Sequence, residues 1–113
     1  MGLITLTEAK SYLRVDSVMD DDLIGSLLSS AEKITTDVAR MSAAEWNAVC
    51  TEGTVTIRGT ELNQAEIAQL KALLISAVLY SLGYLYEHRE QADHHDLVMT
   101  LRNLLSSVRE GVF

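Results

Sequence analysis

The fold is decided in the second half of the chain, where residues 61–90 read ELNQAEIAQLKALLISAVLYSLGYLYEHRE. Apolar side chains recur there every three or four positions, which is the spacing of one face of an α-helix. The stripe consists of Ile67, Leu70, Leu74, Ala77, Val78, Ser81 and Leu85, and it is widened by Leu73, Tyr80 and Tyr84. A helix that is apolar on more than one side needs more than one neighbour. We therefore predict a central helix over 61–90, about 45 Å long at the usual helical rise.

Shorter helices are predicted before and after this central helix. Thr5 and Glu8 have the spacing of a capping box, which predicts a helix over 6–14. Apolar residues at helical spacing predict a second helix over 20–40 and a last helix over 95–109. The chain contains no proline, so no residue forces these helices to break.

The middle of the chain follows a different pattern. Ser42 and Glu45 form a second candidate capping box, which predicts a turn or two of helix. Residues 51–60 alternate Val55 and Ile57 with polar residues between two glycines, which predicts a short extended segment or hairpin arm. An isolated hairpin is marginally stable in water, so this segment needs a neighbour to pack against.

Length and composition predict one folding unit. A chain of 113 residues is expected to form a single domain over 1–113. The expected fold class is all-α, a small bundle of about four helices with one long central helix and a short extended or hairpin insertion. Hydrophobic residues make up 48% of the chain, which is generous for a small monomer. Part of that apolar surface is therefore expected to lie at a subunit interface.

Charge and cysteine content limit the classes of protein to which this chain can belong. The formal net charge is −7, from 16 acidic residues against 9 lysines and arginines, which argues against a nucleic-acid grip. Cys50 is the single cysteine, so no intrachain disulfide is possible, which fits a reducing compartment. The N-terminus lacks the pattern of a signal peptide, and no uninterrupted apolar stretch reaches roughly 18 residues, so we expect no membrane span.

The histidines and aspartates do not predict a metal site. His88, His94 and His95 are close in sequence, but adjacent side chains on a helix diverge, and a structural zinc site needs four converging ligands. The run Asp20–Asp22 lacks the spaced ligands and the glycine of a calcium loop. Capping and the dipole of the following helix explain it more simply.

A reactive nucleophile is not predicted either. Cys50 has only the carboxylates of Glu45 and Glu52 nearby in sequence, which would raise the pKa of its thiol. No serine stands in a nucleophile-elbow pattern. We therefore expect that the chain is not an enzyme and needs no cofactor.

Motifs near both ends of the chain belong together. Residues 6–16 read LTEAKSYLRVD and precede Asp20–Asp22, residues 84–90 read YLYEHRE, and residues 104–109 read LLSSVR. This combination resembles the small head–tail connector, or adaptor, proteins of long-tailed bacteriophages. The resemblance covers residues 3–40 and 67–110. Members often have an aromatic residue and a proline before the last arginine, whereas this chain has Val108 there.

The resemblance implies a mechanical role rather than a reaction. Connectors of this kind are short helical bundles that assemble into a ring, of about twelve copies, beneath the portal at the DNA-packaging vertex. The ring extends the channel, lets double-stranded DNA pass without specific binding, and offers a platform for the next neck or tail-completion protein. The expected location is the virion neck, and the bacterial host cytoplasm during assembly, with no membrane partner.

Two sets of residues are candidates for these contacts. An aromatic and charged patch on a helix is typical of an interface anchor, although Tyr86 fits a core position equally well. The candidates for the subunit or portal interface are Tyr80, Tyr84, Tyr86, Glu87, Arg89, Leu101, Leu105 and Arg109. An acidic channel wall would repel DNA phosphates, so that the duplex slides past it. The candidates for that wall are Asp20, Asp21, Asp22, Glu45, Glu52 and Glu61.

A small helical DNA-binding or regulatory module is the alternative. A recognition helix would carry Arg, Lys, Asn or Gln near its N-terminal end. The helices that begin near Asp20 and Asp93 are acidic there instead, which speaks against this alternative.

Overall fold

The computed structural model describes residues 3–15, 18–51, 54–57, 60–88, 95–106 and 108 of the chain. Within them it has five α-helices and one two-stranded antiparallel sheet. The elements are α1 (Leu6–Leu13), α2 (Asp21–Ala39), α3 (Ala43–Cys50), β1 (Thr56–Ile57), β2 (Thr60–Glu61), α4 (Gln64–Glu87) and α5 (His95–Leu104). The predicted all-α bundle with one long central helix and a hairpin insertion is thereby confirmed. The helix ends predicted at residues 90 and 109 lie outside the described residues.

Capping boxes begin three of the helices. In α1 the Thr5 hydroxyl accepts a hydrogen bond from the Glu8 amide at 3.1 Å, and the Glu8 carboxylate accepts one from the Thr5 amide at 2.9 Å. The same reciprocal bonds join Ser42 with Glu45 and Asn63 with Glu66. The first two boxes were predicted from the sequence. The third was not, and it starts α4 at Gln64 rather than at residue 61.

Helices α1 and α2 both end on an arginine whose backbone is left-handed. Arg14 has a φ of 60° and Arg40 has a φ of 59°. At each end the following amide donates to a carbonyl five residues back, at 2.9 Å and 3.1 Å, as in a Schellman motif. Glycine is the usual residue at this position, because the left-handed conformation costs other residues about 1–2 kcal/mol. Both arginines therefore adopt a conformation that the local backbone preference disfavours.

Helices α2 and α4 form the central antiparallel pair, and α1 and α5 pack against both of them. Two contacts of α1 fix the directions of the pair. Lys10 Nζ lies 2.7 Å from Asp21 Oδ1, in the first turn of α2. The ring of Tyr12 lies against Gly83, near the end of α4. The start of α2 and the end of α4 therefore meet on α1, while the end of α2, α3 and the hairpin lie toward the opposite end of the bundle.

One hydrophobic core includes side chains from every helix and from the hairpin. Its largest fully buried apolar side chains are Ile24, Val49, Val55, Leu70, Leu74, Val78, Leu82, Leu97, Leu101, Leu105 and Val108. In the hairpin, Val55 and Ile57 point into this core, and the Leu62 amide donates to the Val55 carbonyl at 2.9 Å. The strands pair Thr56 with Glu61 and Ile57 with Thr60. The neighbour that the hairpin was expected to need is thus the core itself.

Helix α4 is the central helix and is unusually apolar. By length and composition alone it could cross a membrane. This differs from our expectation that no segment would be long and apolar enough to do so. The core helix of a bundle meets the same criterion, because it is covered by neighbours on several sides. In this structure α1, α2 and α5 all pack on α4. These contacts bury 33% of its most apolar window.

Thr35, on α2, is fully buried, and among the described residues its hydroxyl has no hydrogen-bond partner. Replacing it with valine keeps the shape and removes a buried polar group. We expect Thr35→Val to raise the free energy of unfolding by about 1 kcal/mol, measured by urea denaturation. The matched control is Thr36→Val, because the Thr36 hydroxyl already donates to the Glu32 carbonyl at 2.7 Å. Equal effects of the two substitutions would contradict this explanation.

Candidate interaction surfaces

A shallow groove lies where α1 crosses the C-terminal half of α4. Its volume is about 410 Å³, and its lining residues are Tyr12, Tyr80, Gly83, Tyr84, Glu87 and His88. We call it the tyrosine groove. The exposed fractions of Tyr12 and Tyr80 are 49% and 43%, so two phenol rings are available to a partner. Tyrosine is enriched at the centre of protein interfaces, because its ring gives apolar contact while its hydroxyl stays hydrated or bonded.

Packing between α1 and α4 shapes this groove. A Cβ atom at Gly83 would lie 3.4 Å from a ring carbon of Tyr12, so glycine lets the ring lie close to the helix. On the other side, the rings of Tyr84 and His88 stack with centroids 4.3 Å apart. His88 Nδ1 lies 3.0 Å from the Tyr84 carbonyl oxygen, which holds the imidazole in place. The groove therefore has one wall from α1 and one from α4.

The structure separates the residues that the sequence suggested for an interface. Tyr80 and Glu87 are exposed, whereas Tyr84 and Tyr86 are half-buried against the core. Leu101 and Leu105 are fully buried within the chain. These two leucines stabilise the bundle itself, and a neighbour could touch them only if α5 moved. Arg89 and Arg109 lie outside the described residues.

The acidic candidates for a channel wall lie at two ends of the bundle. Asp20 and Asp21 are half-buried at the start of α2, and Asp22 beside them is exposed. Glu45 and Glu61 belong to α3 and the hairpin, toward the opposite end. A helix of the length of α4 separates these ends by roughly 35 Å. Glu52 lies outside the described residues.

Several of these carboxylates already have a partner within the chain. Asp21 pairs with Lys10, and Glu45 accepts the Ser42 amide at 2.8 Å in its capping box. Asp20 is the N-cap residue of α2, but its side chain makes no capping hydrogen bond. Asp22 and Glu61 are exposed, one at each end of the bundle. They are the members of the set that are most accessible to a partner.

A second surface, which sequence reasoning missed, lies between the end of α2 and α5. Its lining residues are Ile34, Asp37, Val38, Arg40, Val98 and Arg102, around a volume of about 480 Å³. We call it the arginine surface. Arg40 and Arg102 are exposed, and Asp37 Oδ1 is bound by Lys33 Nζ at 2.9 Å. No sequence signal marked this surface, because a left-handed helix end is usually indicated by glycine and position 40 is an arginine.

The comparison with protein families identifies the class. The family model described as phage gp6-like head-tail connector protein matches residues 3–111. The chain belongs to this family. This head-tail connector protein is a structural component of the junction between the phage head and tail, as the sequence motifs implied. No curated protein and no solved structure matches the chain significantly.

The histidines and Cys50 of this connector protein have side chains of the types that bind metals or act as nucleophiles. His88 stacks on Tyr84, His95 is exposed at the start of α5, and His94 lies outside the described residues. Among the residues that the structure describes, no three His, Cys, Asp or Glu side chains are grouped as metal ligands would be. The histidines that are described therefore contribute to the tyrosine groove and to the surface.

The thiol of Cys50 is partly buried, and burial raises its pKa. The carboxylate of Glu32 raises the pKa of this thiol further. The direction of the pKa shift agrees with our expectation. Among the described residues, the carboxylate that raises it is that of Glu32 on α2 rather than that of Glu45, and Glu52 lies outside the described residues. Such a thiol is a weak nucleophile at neutral pH.

Glu32 is half-buried, and burial raises the pKa of its carboxyl group above its ordinary value. The Leu3 amide donates to this carboxylate at 3.0 Å and only partly offsets that effect. The folded state therefore holds the proton more tightly than the unfolded state does. The contribution of Glu32 to stability falls as pH rises from its ordinary pKa of 4.5 through the raised value.

Replacing Glu32 should reveal this dependence in the connector protein. Glu32→Gln keeps an acceptor for the Leu3 amide without a charge, so we expect higher stability at about pH 7 and a flatter profile down to about pH 4. Glu8 is the control of opposite sign, because its hydrogen bonds with Thr5 lower the pKa of its carboxyl group. Glu8→Gln should lose stability at neutral pH relative to acid pH. Unfolding midpoints measured between about pH 4 and about pH 7 test both variants. If the two substitutions change stability at neutral pH in the same direction, the opposite pKa shifts of Glu32 and Glu8 are refuted.

Proposed function

We propose that copies of this chain form a ring that docks on the portal, extends the DNA channel and joins the head to neck or tail proteins. Assembly would take place in the cytoplasm of the bacterial host, and the ring would remain in the virion neck. Family membership supports the location at the junction. The ring itself is supported by the large apolar side chains that the fold leaves exposed.

Those exposed side chains are distributed over several elements. They are Leu6, Tyr12, Val18, Met19, Leu23, Tyr80, Met99 and Leu104. Val18 and Met19 are 75% and 89% exposed in the turn before α2, while Met99 and Leu104 lie on α5. Single exposed apolar residues are normal. Apolar groups on different elements are what a ring requires, because each copy presents one surface to the preceding copy and another to the next.

The charges of the described residues support passage of DNA rather than its binding. The formal net charge of −7 is multiplied by the number of copies in a ring. The first turn of α2 carries Asp21 and Asp22, and the first turn of α5 carries Asp96. Neither helix therefore has the basic N-terminal end of a recognition helix. An acidic inner wall would repel the phosphates and leave the duplex free to slide.

Native mass spectrometry tests the ring directly. The chain would be measured alone and then mixed with the portal protein of the phage or prophage that encodes it. We expect a closed species of about twelve copies, at least on the portal, since symmetric rings of one subunit are closed by a fixed rotation. A chain that remains monomeric at high concentration and does not bind the portal would refute the proposal.

A further inference from the structure

The tyrosine groove and the arginine surface differ in chemistry and lie at different places on the bundle. Resting on the ring proposed above, we propose that the tyrosine groove of one copy binds Arg40 and Arg102 on the arginine surface of the next copy. The groove lies near the start of α2, where α1 meets the end of α4, and Arg40 lies at the end of α2. Contact between two such separated surfaces is heterologous, which is the kind of contact that generates rings.

The groove has the chemistry of a guanidinium site. Tyr12 and Tyr80 present exposed rings, and a cation over the face of a tyrosine ring is attracted by its π electrons. Glu87 adds an exposed carboxylate at the same groove, and no described residue forms an ion pair with it. A planar guanidinium can stack on a ring and donate two hydrogen bonds to a carboxylate at the same time. The arrangement thus favours arginine over any neutral side chain.

The arginine surface supplies the complementary group. Arg40 and Arg102 are both exposed, and neither forms an ion pair with a described residue. Asp37, on the same surface, is already bound by Lys33. Met99 lies one helical turn before Arg102 and is 43% exposed, which adds an apolar contact of the kind enriched at interfaces.

A second copy is the occupant that the charges favour. Every copy carries one groove with a carboxylate and one surface with two arginines. None of these three charged groups forms an ion pair within the described part of the chain. In a closed ring, each groove therefore binds the arginine surface of one neighbouring copy. The net charge of −7 makes random association of copies unfavourable, which favours a contact that brings opposite charges together locally.

Exchanging the charges tests this contact. Glu87→Arg places cations against each other at every contact, and Arg40→Glu places two carboxylates there. We expect each single variant to form rings about tenfold less readily than the wild type, both in the absence of the portal protein and on it. An equal mixture of the two variants should restore assembly, because the arginine introduced at position 87 then faces the glutamate introduced at position 40, and the unchanged groove and surface also meet. The double variant should assemble as well, to within about threefold of the wild type.

The controls separate this contact from folding and from the ring itself. Arg14→Glu makes the same substitution at the end of α1, where the backbone is also left-handed, but outside the arginine surface. This variant should assemble normally. Restoration by mixing excludes misfolding as the cause of the single defects. If the wild type assembles but the mixture does not recover, another surface or another protein occupies the groove and the contact is refuted. If the wild type forms no ring even on the portal, the proposed function fails, and this contact fails with it.

Discussion

Replacing Leu74 with alanine is expected to destabilise the chain by about 2–5 kcal/mol, a large share of the stability of a domain this size. Leu74 lies in the middle of α4 and is fully buried. Truncation removes apolar contacts and leaves a cavity that neighbouring helices cannot close, because a well-packed core relaxes only partly. The urea midpoint of the variant, followed by the fluorescence of the single tryptophan, Trp46, gives the measurement.

Tyr80→Ala is the matched control for this substitution. Tyr80 lies on the same helix but is 43% exposed, so we expect its removal to cost less than about 1 kcal/mol. All proteins must be compared at one concentration, since association stabilises folded subunits. The two variants should also differ in assembly. Tyr80→Ala should weaken ring formation in a chain of nearly wild-type stability, whereas Leu74→Ala should lower the stability of the fold itself. Similar urea midpoints for both variants would contradict the assignment of core and surface on α4.

Neutralising an exposed carboxylate, Asp22 at one end of the bundle or Glu61 at the other, should slow the passage of DNA if that end faces the channel. Removing one charge per copy removes about twelve charges from a ring of about twelve copies. If the residue faces the channel, we expect genome ejection or packaging to slow by roughly tenfold, because DNA is no longer repelled from the wall. Asp22→Asn and Glu61→Gln test the two ends separately, since these residues lie at opposite ends of the fold.

Charge-preserving substitutions provide the controls. Asp22→Glu and Glu61→Asp change the length of the side chain and keep its charge, so they should eject DNA at the wild-type rate. Ejection can be followed by the fluorescence of a dye that binds released DNA, in particles with equal protein content. A slowing with Asp22→Asn alone would orient the start of α2 toward the channel, and a slowing with Glu61→Gln alone would orient the hairpin toward it. Unchanged rates in both neutral variants would refute an acidic wall built from these residues.

Local patterns predicted much of this fold. The stripe from Leu70 to Leu85 identified α4, because a buried helical face repeats within one element. The capping boxes at Thr5 and Ser42 were readable for the same reason, since each involves residues three positions apart. The box at Asn63 was missed because the apolar spacing around it extended the predicted helix to residue 61. Periodicity locates a helix more reliably than it locates its first residue.

Contacts between segments that are distant in the sequence could not be predicted from local patterns. Leu101 and Leu105 were interface candidates, and within the single chain both are fully buried. An apolar helical face does not tell whether it packs on its own chain or on a neighbour. Leu82 and Thr35 were missed as core residues, since α4 and α2 each contact several helices and bury more than one stripe. The arginine surface joins the end of α2 to α5, which no local spacing encodes.

The tyrosine groove belongs to two helices rather than to one, because Tyr12 comes from α1 and the opposite wall from α4. Helix α1 has eight residues, too few to be stable alone, so it is held by its packing and by the Lys10–Asp21 ion pair. If the proposed contact forms the ring, a copy in which α1 has not docked offers no groove and cannot be added through it. Under that proposal, only copies that have completed their tertiary fold would enter the particle.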